Sequence, residues 1–115
     1  MAPNIGEIDQ LAIIVLSGYQ SEDLMQNLVK QRFYFTKIDS SGGMLNEPAV
    51  CLLIGLNKAR MPSLLELVQK CCQPYTQYIP TQLNSQSGYP SMSMIEAQVG
   101  GALIYSLNVE RFEQL

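Results

Sequence analysis

The stretch from Thr36 to Gly55 constrains the fold more than any other part of the sequence, because two strand-like runs flank a polar break. Residues 33–38 are rich in aromatic and β-branched side chains, and residues 49–54 are almost wholly apolar. The Ser-Ser-Gly-Gly cluster at 40–43 separates the two runs. This pattern is typical of a hairpin-like connection, so it predicts a strand on each side of the cluster.

The turn between these strands has two possible interpretations. Gly42 and Gly43 can adopt positive φ and leave backbone N–H groups uncovered, and successive N–H groups of this kind can form an anion-binding nest. Met44 and Leu45 follow directly, so a polar cradle beside apolar side chains would suit a ligand with both a phosphate and a flat base. The alternative is an ordinary tight turn, with Met44 and Leu45 in the core.

The first strand and both helices are predicted from local patterns. Residues 8–16 form a β-branched apolar run short enough to be a buried strand. Ser21 is a suitable N-cap, and apolar residues at helical spacing predict a helix that ends at about Arg32. Asn57 is a suitable N-cap for a second amphipathic helix, which extends to about Cys72.

The last part of the sequence predicts further strands. Residues 92–98 alternate between apolar and polar side chains, and 102–107 form another strand-like run after Gly100 and Gly101. With the preceding elements, the order is β-α-β-β-α-β with an extra strand piece. This order indicates an α+β fold, a ferredoxin-like sandwich with one antiparallel sheet and two helices.

The segment 73–91 differs in character, since it is uncharged, polar and interrupted by prolines. It is expected to be a long flexible loop, and loops of this length are commonly functional or disordered. Residues 1–7 are expected to be a loose leader. With 115 residues, the chain is predicted to form a single domain, 1–115.

Charge and hydrophobicity limit the possible partners. The net charge is −3 and the basic residues are scattered, so the sequence argues against nucleic-acid binding. Only 15% of the residues are charged and 47% are hydrophobic, which favours a subunit interface and therefore a homo-oligomer. The apolar run 11–16 is too short to span a bilayer and no signal peptide is recognised, so we expect a cytoplasmic protein that does not bind membranes.

The residue types also argue against catalysis. The chain has no histidine, and its three cysteines lack metal-binding spacing, so no nucleophile–base pair, metal site or cofactor is predicted. The cysteines are expected to be reduced. A small ferredoxin-like enzyme acting on an apolar substrate is the weakest interpretation.

Three blocks together resemble a known family. They read LVKQRFYFTKIDSSGGML at 28–45, LLIGLN at 52–57 and QVGGALIYSLNVERFEQL at 98–115. Their composition and spacing resemble the PII-like cyclic di-AMP receptor family, related to the PII nitrogen-regulatory signal proteins. The resemblance implies a homotrimer that binds cyclic di-AMP, or a related adenine nucleotide, between subunits. It also implies that segment 73–91 acts on an unidentified protein partner.

The resemblance also implies a set of ligand-binding residues. Thr36 would contact the phosphate, Leu45 would line the base pocket and Gly55 would meet the adenine edge. Gly42, Gly43 and Gln114 match the turn glycines and the terminal glutamine of the family.

Four further positions differ from the family pattern. Met44 takes the place of the aromatic residue that stacks on adenine, and Ala49 that of an asparagine. Arg32 and Tyr34 occupy the family's Asn-Phe-Arg segment, with the basic residue two places earlier. These differences motivate the alternative function, a PII-like trimeric interaction module that has lost nucleotide binding.

Overall fold

The computed structural model describes residues 7–40, 49–84 and 90–115. The chain forms six strands and two α-helices over these residues, and a 3₁₀ turn at Lys58–Arg60 precedes the second helix. In chain order the elements are β1 Gln10–Ser17, α1 Gly18–Lys30, β2 Phe35–Ser40, β3 Ala49–Leu56, α2 Met61–Cys71, β4 Tyr75–Asn84, β5 Pro90–Val99 and β6 Ala102–Asn108.

Four strands form one antiparallel sheet in the order β2-β3-β1-β6. Strand β1 lies at its centre, with β3 on one side and β6 on the other. Helix α1 connects β1 to β2, which are not adjacent in the sheet, and α2 lies between β3 and the β4–β5 pair that leads to β6. This order matches the ferredoxin-like pattern with an added pair of strands. The predicted α+β fold, with one four-stranded antiparallel sheet and two helices, is confirmed.

The core lies between the helices and one face of the sheet. Along β1 and β3, buried residues alternate strictly with partly exposed ones, because successive side chains of a strand point to opposite faces. Ile14, Leu52 and Ile54 are fully buried on the helical side, against Leu24 and Leu64 of the helices. The other face of the sheet has no helix over it among the described residues.

The helix starts differ from the sequence prediction. Strand β1 passes directly into α1, so the N-cap is Ser17, whose Oγ accepts a hydrogen bond from the Tyr19 N–H at 3.2 Å. The predicted N-cap, Ser21, lies inside the helix and donates to the Gly18 carbonyl. Asn57 does act as a cap, with its Oδ1 accepting from the Ala59 N–H, but it caps the 3₁₀ turn rather than α2.

The prediction of an irregular loop over 73–91 is wrong for most of that segment. Strands β4 and β5 pair with each other along their full length, from Tyr75 with Val99 to Asn84 with Pro90. Thr, Tyr and Ile residues in β4 have high strand propensity. Pro80 is compatible with a two-stranded ribbon, since each strand has an unpaired edge that needs no N–H donor. Residues 1–6 and 85–89 lie outside the described residues.

The β4–β5 ribbon gives the chain an elongated shape. The molecule measures 65 × 24 × 24 Å with a radius of gyration of 18.8 Å, whereas a compact domain of this length would have about 13 Å. Gly100 and Gly101, with φ of 86° and 78°, connect the ribbon to β6 in a conformation that favours glycine. The ribbon therefore projects from a globular body that contains the four-stranded sheet.

Candidate functional site

A cleft of about 690 Å³ lies at one end of the sheet. Its walls come from four parts of the chain, namely the start of β1, the start of β2, the end of β3 and the C-terminal segment after β6. The lining residues are Ile8, Gln10, Leu11, Tyr34, Phe35, Thr36, Leu53, Gly55, Val109, Phe112, Glu113, Gln114 and Leu115. The lining combines apolar side chains with a few polar groups, which is the usual composition of a small-molecule site. We therefore take this cleft as the candidate functional site.

The cleft brings together four of the residues predicted from the sequence. Tyr34, Thr36, Gly55 and Gln114 all line it, although they are far apart along the chain. The strand register explains part of this grouping, because Thr36 of β2 pairs with Leu53 of β3, two residues before Gly55. Gln114 lies on the segment that follows β6, which is on the opposite side of β1 from β3.

Two of the other predicted residues, Arg32 and Ala49, are not among the lining residues of the cleft. Arg32 is exposed in the turn before β2 and is not among the lining residues. Ala49 begins β3 at the opposite end of the strand, where it pairs with Ser40 and Ser17. Gly42, Gly43, Met44 and Leu45 lie outside the described residues.

The end of α1 determines how the chain enters the cleft. Arg32 has a φ of 60°, the left-handed conformation that ends many helices. Its N–H donates to the Val29 carbonyl at 3.1 Å, and the Phe33 N–H donates to the Leu28 carbonyl at 2.8 Å. These two bonds form a Schellman motif, and the buried Phe33 and Leu28 supply its apolar component. The turn therefore fixes the start of β2 two residues later than predicted.

Arg60 ties this turn to the segment before α2. Its Nη2 donates to the Gln31 carbonyl at 2.6 Å and its Nη1 to the Arg32 carbonyl at 3.3 Å. The guanidinium also lies 3.9 Å from the centre of the Phe33 ring, within the range of a cation–π interaction. A cation at this position complements the negative end of the α1 dipole. Since Tyr34 follows Phe33, Arg60 positions one wall of the cleft.

Gly55 leaves a bare stretch of backbone in the cleft. A β-carbon at this position would lie 3.3 Å from Ile8 side-chain atoms, which is tighter than most packed contacts. Ile8 also lines the cleft, so a larger residue at 55 would displace it or occupy the space itself. Glycine at this position therefore makes room for the Ile8 side chain.

Hydrogen bonds hold the C-terminal wall against β1. The Val109 N–H donates to the Asp9 carbonyl at 2.9 Å, and the buried Gln10 donates from Nε2 to Oδ1 of Asn108 at 2.6 Å. Phe112 also lines the cleft and is 47% exposed. Its place in the cleft was not predicted, and its position two residues before Gln114 was the available signal.

The cleft contains little charge. Among its described lining residues, Glu113 is the side chain with a formal charge, and it forms an ion pair with Arg111. No lysine or arginine belongs to that part of the lining. In the described ranges no three His, Cys, Asp or Glu side chains are grouped as metal ligands would be. The cleft is therefore suited to hydrogen bonding and apolar contact with a ligand.

The perturbed thiols lie away from the cleft, at the end of α2. Burial raises the pKa of Cys71, and the nearby Asp23 carboxylate raises it further. Burial also raises the pKa of Cys72 to about 11, with contributions from Cys71 and Asp23. Both thiols are buried and unpaired, so they remain protonated and unreactive at neutral pH.

The open face of the sheet is apolar and adjoins the cleft. Leu103 and Tyr105 of β6 are 59% and 55% exposed, and they pair with Val15 and Ile13 of the neighbouring strand β1. Leu53 lies beside Ile13 on β3 and also lines the cleft. A continuous apolar surface of this kind marks an interaction site. In the described residues, no helix is long and apolar enough to cross a bilayer.

Comparison with known proteins agrees with the resemblance found in the sequence. The profile of a family described as cyclic-di-AMP receptor matches residues 9–115. A functionally unknown protein from Pediococcus pentosaceus ATCC 25745 has a TM-score of 0.72 and 24% identity, covering 96% of this chain and 100% of its own. These matches confirm the predicted family and fold.

Two more distant structures have the same fold. CPII from Thiomonas intermedia K12, in a structure with ADP, AMP and acetate, has a TM-score of 0.54 and 14% identity over 90% of this chain and 89% of its own. A DUF3240 family protein from Shewanella baltica OS155 has a TM-score of 0.56 and 12% identity over 96% of this chain and 99% of its own.

Proposed function

Because the chain belongs to the cyclic-di-AMP receptor family, we propose that it is a signal protein that binds cyclic di-AMP, or a related adenine nucleotide, in this cleft. The observation that carries the proposal is the grouping of Tyr34, Thr36, Gly55 and Gln114 around one cavity. Family membership supports a nucleotide-binding role without catalysis. The finer proposal is that the nucleotide lies between subunits.

The chemistry of the lining fits such a ligand. Thr36 offers a hydroxyl donor for a phosphate oxygen, and Gln114 offers an amide that can pair with polar atoms of a base. Leu11 and Leu53 provide apolar surface, and Gly55 contributes to the same wall beside Ile8. The turn with Gly42, Gly43, Met44 and Leu45 is proposed to supply the remaining contacts.

A homotrimer is the second part of the proposal. The open sheet face, with Leu103 and Tyr105 exposed, would be a poor surface for an isolated monomer. Leu53 belongs both to this face and to the cleft, so a neighbouring copy on the face would reach the cleft opening. The assembly would thereby bury the apolar surface and complete the ligand site.

The β4–β5 ribbon is the proposed output element. It projects from the body of the molecule and is joined to β6 by two positive-φ glycines. A ligand that changes the orientation of the ribbon would alter the surface that the ribbon presents to a protein partner. The three free cysteines support a reducing compartment, the cytoplasm.

The alternative function is a PII-like trimeric interaction module that has lost nucleotide binding. Met44, Ala49 and Tyr34 differ from the family pattern, and the described lining of the cleft has no basic side chain. In this case the β4–β5 ribbon would bind a protein partner, and no nucleotide would be involved.

The test is the affinity of the Thr36→Ala variant for cyclic di-AMP, measured by calorimetry. A hydrogen bond to a charged group contributes about 1.5–3 kcal/mol, so the variant should bind at least about tenfold more weakly. Thr76→Ala is the matched control, since Thr76 is exposed on β4 away from the cleft. Equal affinity of both variants and the wild type would contradict the proposed phosphate contact.

A further inference from the structure

Tyr34 is exposed, whereas the aromatic residues on either side of it are not. Phe33 is buried, and Phe35 packs against the core. Tyr34 is 47% exposed and lines the cleft. Burial alone therefore does not explain an aromatic ring at this position.

The position of Tyr34 is well determined by its surroundings. The Schellman turn fixes Phe33, and Arg60 donates hydrogen bonds to the two preceding carbonyls. Thr36 lies two residues further along, on the same face of the chain, and both residues line the cleft. The backbone that carries Tyr34 is therefore in place before a ligand binds, which favours affinity.

The same cleft lacks the groups that usually dominate phosphate binding. No lysine or arginine is among the described lining residues. Arg60 is engaged by the carbonyls of Gln31 and Arg32 and by Phe33. Arg111 and Lys37 pair with Glu113 and Asp39. The connecting segment 41–48 has no lysine or arginine in its sequence. This protomer therefore offers neutral donors and aromatic surface to a nucleotide, rather than positive charge.

We propose that Tyr34 provides an aromatic contact for the nucleobase, with Phe112 as a second aromatic wall of the same cleft. This inference rests on the proposed nucleotide-binding function and specifies how the base is recognised. It gives the base an aromatic contact although position 44 is a methionine. Stacking does not depend on net charge, so affinity should change little with salt, unlike binding through ion pairs.

The test compares Tyr34→Leu, Tyr34→Phe and Tyr19→Leu with the wild type in calorimetric titrations with cyclic di-AMP, at low and at high salt. Tyr34→Leu should weaken binding at least about fivefold, which corresponds to about 1 kcal/mol at about 1.4 kcal/mol per tenfold. Tyr34→Phe keeps the ring and should retain the wild-type affinity. Tyr19, which is 71% exposed on α1 and outside the cleft lining, is the control for loss of a surface tyrosine.

The outcomes separate this inference from the function on which it rests. Wild-type binding that is unchanged in Tyr34→Leu would overturn the aromatic contact and leave the receptor function intact. A steep loss of wild-type affinity at high salt would also overturn it, because ion pairs would then dominate. Failure of the wild type to bind cyclic di-AMP would overturn both proposals. Equal melting temperatures would show that the variants are folded.

Discussion

Replacing Arg60 with alanine should destabilise the protein by about 2 kcal/mol. The guanidinium donates to two carbonyls at the end of α1 and lies 3.9 Å from the centre of the Phe33 ring. A cation at a helix C-terminus contributes about 1 kcal/mol at a partly exposed site. A cation–π contact contributes about another 1 kcal/mol. Alanine removes both contributions.

The melting temperature should fall by about 8 °C. For 115 residues, an unfolding entropy of about 2.1 cal/mol/K per residue gives about 240 cal/mol/K, so 2 kcal/mol corresponds to this shift. The measurement is thermal denaturation followed by circular dichroism. Wild type and variant are compared at one protomer concentration, because the proposed assembly would make the melting temperature depend on concentration.

Two further variants test the reasoning about Arg60. Arg60→Lys keeps the positive charge but loses the planar donor fork, so it should show about half of the loss. Lys58→Ala removes an exposed cation from the same 3₁₀ turn and should melt as the wild type does. If Arg60→Ala melts with the wild type, or if Lys58→Ala is equally unstable, the contacts of Arg60 do not hold this turn.

Three other predictions concern the turn after α1, the open face of the sheet and a buried thiol. Arg32→Gly should raise the free energy of unfolding by about 1 kcal/mol in urea titrations, because glycine adopts the left-handed conformation without strain. Leu103→Glu should reduce the molar mass measured by light scattering to that of a monomer, whereas Leu65→Glu, on an exposed part of α2, should not. The pKa of Cys72 is raised from 9.0 to about 11, so the unfolded thiol releases its proton first. Stability should therefore fall as the pH rises through this range, and less steeply in Cys72→Ala.

The architecture of the sheet and helices was predictable from local patterns. The apolar runs of β1 and β3 predict two buried strands, but because nearly every position in them is apolar, the sequence does not show which residues face the helices. The alternation of buried and partly exposed residues is seen only in the structure. The exact helix start was less predictable, since Ser17 and Ser21 can both cap a helix. The end of β1 decides between them, and this depends on pairing with β3 and β6.

Strand β5 was predicted over 92–98 and is confirmed, but β4 and its pairing with β5 were missed. A two-stranded ribbon leaves one edge of each strand unpaired, so it tolerates a proline that a central strand would exclude. Pro80 and the many polar residues therefore resembled a loop. The strands become apparent only when the pairing from Tyr75–Val99 to Asn84–Pro90 is known.

The candidate site was only partly accessible from the sequence. Thr36, Gly55 and Gln114 came from the family resemblance, because no periodicity relates residues that are so far apart. Arg32 and Tyr34 were named from the same resemblance. The left-handed turn leaves Arg32 exposed outside the cleft lining, whereas Tyr34 lines the cleft, and a ligand-binding role for either residue stays a prediction.

The most direct test of the central claim is calorimetry of the purified protein with cyclic di-AMP, with ATP, AMP and cyclic di-GMP as controls. The proposed function predicts saturable binding of cyclic di-AMP near one ligand per protomer, without comparable binding of the controls. The absence of binding by all four nucleotides would contradict it and favour the interaction module that acts through the β4–β5 ribbon.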